Sequence, residues 1–107
     1  MKIEILYVAG CPHHRPAVER IREALAAEGR DAEIREIVVR DPAMAEALRF
    51  PGSPTIRVNG RDVERNKDAE ARPALSCRLY RGGDEGLPSS GAIRSALREA
   101  ALEKDDL

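Results

Sequence analysis

The chain has 107 residues, of which 42% are apolar, 35% charged and 3% aromatic, with a formal net charge of −1. That length fits one domain, residues 1–107, with a modest and mostly aliphatic core. A near-neutral balance excludes the concentrated basic face that nucleic acid requires, and so few aromatics exclude the stacking platforms used for single strands.

No apolar run reaches about 18 residues, so neither a transmembrane helix nor a membrane partner is expected. The opening "MKIEILYVAGC" carries Glu4 inside its apolar stretch and lacks a small-residue cleavage pattern, so it reads as a strand over 3–8 rather than an export signal. Residues 12–28 place Val18, Ile21 and Leu25 on one face of a helix that Gly29 stops. Residues 32–39 return to strand composition. Asp41 and Pro42 read as the N-cap and first residue of a short helix through Leu48, with Met44, Ala47 and Leu48 inward. After "FPGSPT" a strand is expected over 55–58, then Asn59-Gly60 as a two-residue hairpin turn into 61–64.

Residues 65–76 read as a polar excursion, 77–81 as a further strand, and "GGDEGLPSSG" as a loop. A closing helix over 92–103 turns Ile93, Ala96, Leu97, Ala100 and Ala101 inward, and 103–107 form a solvated tail. Strands joined by a helical crossover pair in parallel and the hairpin adds antiparallel strands, which predicts an α/β sandwich around a mixed sheet of four to five strands. A cytosolic chain acting as a monomer or weak dimer is expected. In that compartment a cysteine pair is more often redox-active or metal-binding than a structural staple.

Chemistry in such sheets gathers beyond the carboxyl ends of the parallel strands, where Cys11 lies. With Pro12 as the first helical residue, Cys11 falls at the N-cap, where unpaired amides and the helix dipole favour an anion. A thiolate is such an anion, so the position suggests a reactive thiol that His13 or His14 would assist. At adjacent positions only one imidazole points toward Cys11, which leaves the other in solvent. The competing reading makes Cys11 a small buried hydrophobe. Pro54, ahead of a strand that begins at the same edge, withholds an N–H from the sheet.

Taken in order, "GCP" at a helix start, "GSPT" with Val58 and Gly60, and "SCRLY" around Cys77 resemble the thioredoxin fold. They are most similar to small bacterial thioredoxin-family proteins, some described as alkylmercury lyase-like. The resemblance covers roughly residues 2–102 and implies a thioredoxin-like three-layer sandwich. It makes Cys11 the nucleophile, Pro54 a cis-proline whose preceding backbone meets the reacting sulfur, and His14 the occupant of the resolving cysteine's place. A Cys-x-x-Cys motif releases its own mixed disulfide, which Cys-Pro-His-His does not do. Cys77 is the one other thiol. If 77–81 were the direct neighbour of 55–58, Cys77 would start roughly 13 Å away, beyond the reach of a disulfide. If the Asn59-Gly60 hairpin forms, the excursion brings Cys77 back toward Cys11, unless Cys77 packs on a strand face instead.

The resemblance thus assigns Cys11, Cys77, Pro54 and His14 to catalysis, and Pro12, His13, Ser53, Thr55, Gly82 and Gly83 to substrate binding. Gly82-Gly83-Asp84 is similar to the Gly-Gly-acidic turn with which glutaredoxin-like members hold glutathione; apart from glutathione, no cofactor is implied. Arg15, Arg57 and Arg81 read as solvated charges. The expected function is thiol–disulfide exchange with a protein or small-molecule thiol or disulfide as partner. Two alternatives stand beside it. One is soft-metal binding of Zn, Cu(I) or Hg(II) by Cys11, His13, His14 and Cys77. The other is a non-catalytic binding module that keeps peptide docking beside Pro54.

Overall fold

A computed structural model of the protein describes residues 1–64 and 86–105, the last three as backbone alone. The expected strand at 77–81, the excursion over 65–76, and Cys77, Arg81, Gly82 and Gly83 lie outside the described residues.

Strand β1 is Lys2–Tyr7, and its alternation governs the fold. Ile3 and Ile5 join a core cluster with Ile21, Leu25, Ile56, Ile93 and Leu97. Leu6 joins a separate cluster with Val39, Ala45 and Phe50. Side chains of opposite parity on one strand leave by opposite faces, so the two clusters lie on either side of the sheet.

Helix α1 is His14–Glu28, with His13 as N-cap and Gly29 as left-handed C-cap. It starts two residues later than the sequence reading places it, and Pro16 is the reason. A helix starting at Pro12 would need an amide hydrogen at residue 16, which proline lacks; starting at His14 puts Pro16 inside the first turn, where no hydrogen bond is needed. The first i→i+4 bond runs from the Ala17 N–H to the His13 carbonyl at 3.0 Å. The buried face is Ala17, Ile21, Ala24 and Leu25, with Val18 packed at its margin rather than within it.

Strand β2, Glu33–Val38, pairs in parallel with β1, Ile5 opposite Glu36 and Tyr7 opposite Val38. Helix α2 is Pro42–Ala47, opened by the Asp41 carboxylate, which accepts the Met44 N–H at 2.8 Å. Its buried residue is Ala45 and not Ala47, because the chain turns back and the Phe50 N–H binds the Ala45 carbonyl at 2.8 Å. Arg57 is also placed differently from the solvated charge expected of it. Its Nη2 donates to the Leu48 carbonyl at 2.7 Å, satisfying the C-terminus of α2.

Strand β3, Thr55–Val58, runs antiparallel to β1, and β4, Arg61–Asp62, antiparallel to β3. Val58 faces Arg61, with Asn59 at φ 51 and Gly60 at φ 84, so the two-residue hairpin turn is present although β4 is shorter than the 61–64 expected. Among the described residues β3 thus lies between β1 and β4, and the placement of 77–81 lies outside them. Helix α3, Ser90–Asp105, begins two residues before the expected start because the Ser89 hydroxyl accepts the Ala92 N–H at 3.1 Å. It also continues through 103–105, which the sequence reading assigns to the tail. Among the described residues the result is an α/β fold with a mixed sheet of order β2-β1-β3-β4 and three helices, α1 and α3 over one face and α2 over the other. No helix among the described residues is long and apolar enough to cross a membrane.

Candidate functional site

Two consecutive turns carry the chain from β1 to α1. The Cys11 N–H donates to the Val8 carbonyl at 3.1 Å, and Gly10 at φ 79 supplies the left-handed third position that this turn needs. The His14 N–H then donates to the Cys11 carbonyl at 3.3 Å. Pro12 stands at the second position of this β-turn, to which its fixed φ is suited, and His13 at the third with φ −97 and ψ 0. Cys11 therefore precedes the helix cap by two residues. The sequence reading makes Cys11 itself the cap; in the structure the cap is His13. Cys11 is a free, half-buried thiol and Pro12 is exposed.

The β-turn holds the Cα atoms of Cys11 and His14 within about 7 Å of one another. The His14 imidazole stacks on the Tyr7 ring at a centroid separation of 3.7 Å and an interplanar angle of 9°. Its Nε2 meets Glu36 Oε1 at 2.5 Å. His13 is no solvent group either: it is half-buried against Gly86, where any Cβ would overlap the imidazole. Both histidines thus have defined places, which corrects the expectation that one stands in solvent.

The loop before β3 reaches the same edge. Ser53, fully buried, accepts the Val8 N–H on Oγ at 3.0 Å. Val8 consequently binds Cys11 through its carbonyl and Ser53 through its amide, tying the turn that holds the thiol to the loop that holds Pro54. The Ser53–Pro54 peptide is cis, the isomer implied for this proline, and Pro54 is buried. Thr55 donates from Oγ1 to the Gly52 carbonyl at 2.6 Å. The hydroxyls of Ser53 and Thr55, residues that the sequence reading assigns to substrate binding, are therefore engaged within the protein, and residues 52–55 are all buried.

Tyr7 and Glu36 are absent from the sequence-derived set. The register brings them together: Tyr7 on β1 and Glu36 on β2 share one side of the sheet, Glu36 opposite Ile5. Among the described residues no three His, Cys, Asp or Glu side chains stand close enough to hold a metal ion. A groove of about 210 Å³ lined by Arg15, Val18, Glu19, Arg22 and Glu36 opens beside the His14–Glu36 pair. A second, of about 190 Å³, lies at the opposite end of the sheet between the hairpin and α3. Comparison of the chain with protein-family models, with curated proteins and with solved structures finds no match in any of the three.

Proposed function

We propose that the protein is a thioredoxin-like thiol–disulfide exchange protein of the cytosol, with Cys11 as nucleophile and His14 as its proton carrier. One observation carries the reading: a free thiol and an imidazole share one β-turn, and that turn is bonded through Val8 to the Ser53–Pro54 loop. The strand order β2-β1-β3-β4, with helices on both faces, supports the thioredoxin-like assignment. His14 takes the thiol proton as Cys11 attacks one sulfur of a disulfide. A mixed disulfide forms on Cys11, the substrate's S–S bond breaks, and the departing thiolate receives the proton from His14. Resolution requires a second thiol, because position 14 holds no sulfur. Either Cys77 attacks, leaving a Cys11–Cys77 disulfide and free substrate thiol, or an external thiol attacks and regenerates Cys11.

Turnover of a small disulfide with an excess of thiol tests this directly. Activity abolished by Cys11→Ser is the expected result, together with a mixed disulfide at Cys11 found by mass spectrometry. Equal rates for wild type and Cys11→Ser would refute the reading. The Cys77→Ser variant separates the two routes: trapping of the mixed disulfide assigns resolution to Cys77, and unchanged turnover assigns it to external thiol.

A further inference from the structure

We propose that Glu36 and Tyr7 are positioning residues that hold the His14 imidazole in one tautomer and one orientation for proton exchange with Cys11, an inference that rests on the exchange reading above. A carboxylate only accepts hydrogen bonds, so Glu36 Oε1 against Nε2 assigns the hydrogen of neutral His14 to Nε2. Nδ1, bonded to Cγ, is then the basic nitrogen that exchanges the proton with Cys11. When Nδ1 takes the thiol proton, the imidazolium that forms keeps its Nε2 hydrogen bond to the Glu36 carboxylate. The Tyr7 stack removes rotation about the ring plane and offers a π-face to the same cation. The His14 side chain is 22% exposed and that of Glu36 46%, so the pair lies at the surface and stays in reach of solvent.

The three residues come from three elements, and their register explains why they meet. Tyr7 and Glu36 occupy the helix-facing sides of neighbouring parallel strands, with Glu36 paired beside Ile5, two residues before Tyr7. His14 is the first residue of α1 and descends onto that corner. Neither contact fills the core clusters, which lie deeper under α1. A proton carrier benefits from the bond to Glu36, because it fixes the tautomer before the reaction.

The test uses the whole protein and the variants Glu36→Ala, Glu36→Asp and Tyr7→Leu. Side-chain ¹⁵N NMR is expected to show wild-type His14 as a single Nε2–H tautomer and Glu36→Ala as a mixture. Turnover of a small disulfide by Glu36→Ala should fall at least about tenfold with an altered pH–rate profile, at an unchanged circular dichroism spectrum, since positioned proton transfer contributes at least this much. Glu36→Asp should recover part of the loss, and Tyr7→Leu should show a smaller loss with the tautomer retained. An active wild type whose rate and pH profile survive Glu36→Ala, or a wild-type Nδ1–H tautomer, would overturn the inference alone. A wild type inert through Cys11 would overturn the exchange reading and the inference with it.

Discussion

Replacing Ser53 with alanine removes one oxygen and tests how the site is assembled. The Ser53 hydroxyl accepts the Val8 N–H at 3.0 Å across 45 residues of sequence, and the side chain is fully buried. Alanine fits the space without strain, so the effect isolates the amide left without a partner, a loss of about 1–3 kcal/mol. For a domain of this size each kcal/mol lowers Tm by about 4–8 °C. Urea unfolding followed by circular dichroism gives the free energy, and Ser89→Ala, which removes the α3 cap, serves as a comparison at about 1 kcal/mol. Because Val8 also accepts the Cys11 amide, Ser53→Ala should speed hydrogen exchange at Cys11 more than at Ile5, in the centre of β1. A stability within about 0.5 kcal/mol of wild type, with Cys11 and Ile5 exchange changed equally, would refute the proposed coupling through Val8.

Phe50→Ala should cost about 3–5 kcal/mol in the same unfolding assay, since Phe50 is fully buried in the small α2-side cluster. Gly86→Ala should destabilise by about 1–3 kcal/mol, because φ is 79 and the new methyl must displace the His13 ring; adding His13→Ala should return part of that loss, a non-additivity read from the double-mutant cycle. Glu28, bonded to Arg98 and Arg94, has its carboxyl pushed down from the ordinary 4.5 to about 2. A lowered pKa makes its contribution complete above about pH 4.5 and progressively lost toward pH 2. Glu28→Gln should therefore be less stable than wild type at neutral pH, with the two unfolding curves converging as the pH approaches 2.

Local chemistry made much of this architecture legible in advance. Asp41 before Pro42, Asn59-Gly60 between two short strands, and the bounds of β3 are decided by residues within a few positions of each other, and all three are present. What escaped the sequence depends on contacts between distant segments. Arg57 looks like a surface charge until β3 is docked and its guanidinium meets the open carbonyls of α2. Ala45 displaces Ala47 from the interior because Phe50 folds back over it. Of the site, Cys11, His14 and the Ser53–Pro54 loop were readable from motifs, whereas Tyr7 and Glu36 required the parallel register of β1 and β2. The start of α1 was legible in principle, since Pro16 alone forbids the earlier one, but the attraction of Pro12 as a first helical residue hid it.

That displaced start changes the setting of the Cys11 thiol. With the cap at His13, Cys11 sits in a turn before the helix, its amide and carbonyl both engaged, and the same turn carries His14 three residues on. Pro12 and Pro16 act together here: one sets the β-turn, the other keeps the helix from absorbing it, and between them they fix how far His14 stands from the sulfur. A Pro16→Ala substitution frees the helix to extend toward Pro12, so it should move Cys11 toward the cap while leaving the core intact. Turnover in that variant should lose its dependence on His14, with His14→Ala costing less in the Pro16→Ala background than in wild type. Equal His14→Ala losses in both backgrounds would show that the turn, and hence Pro16, has no part in coupling the imidazole to the thiol.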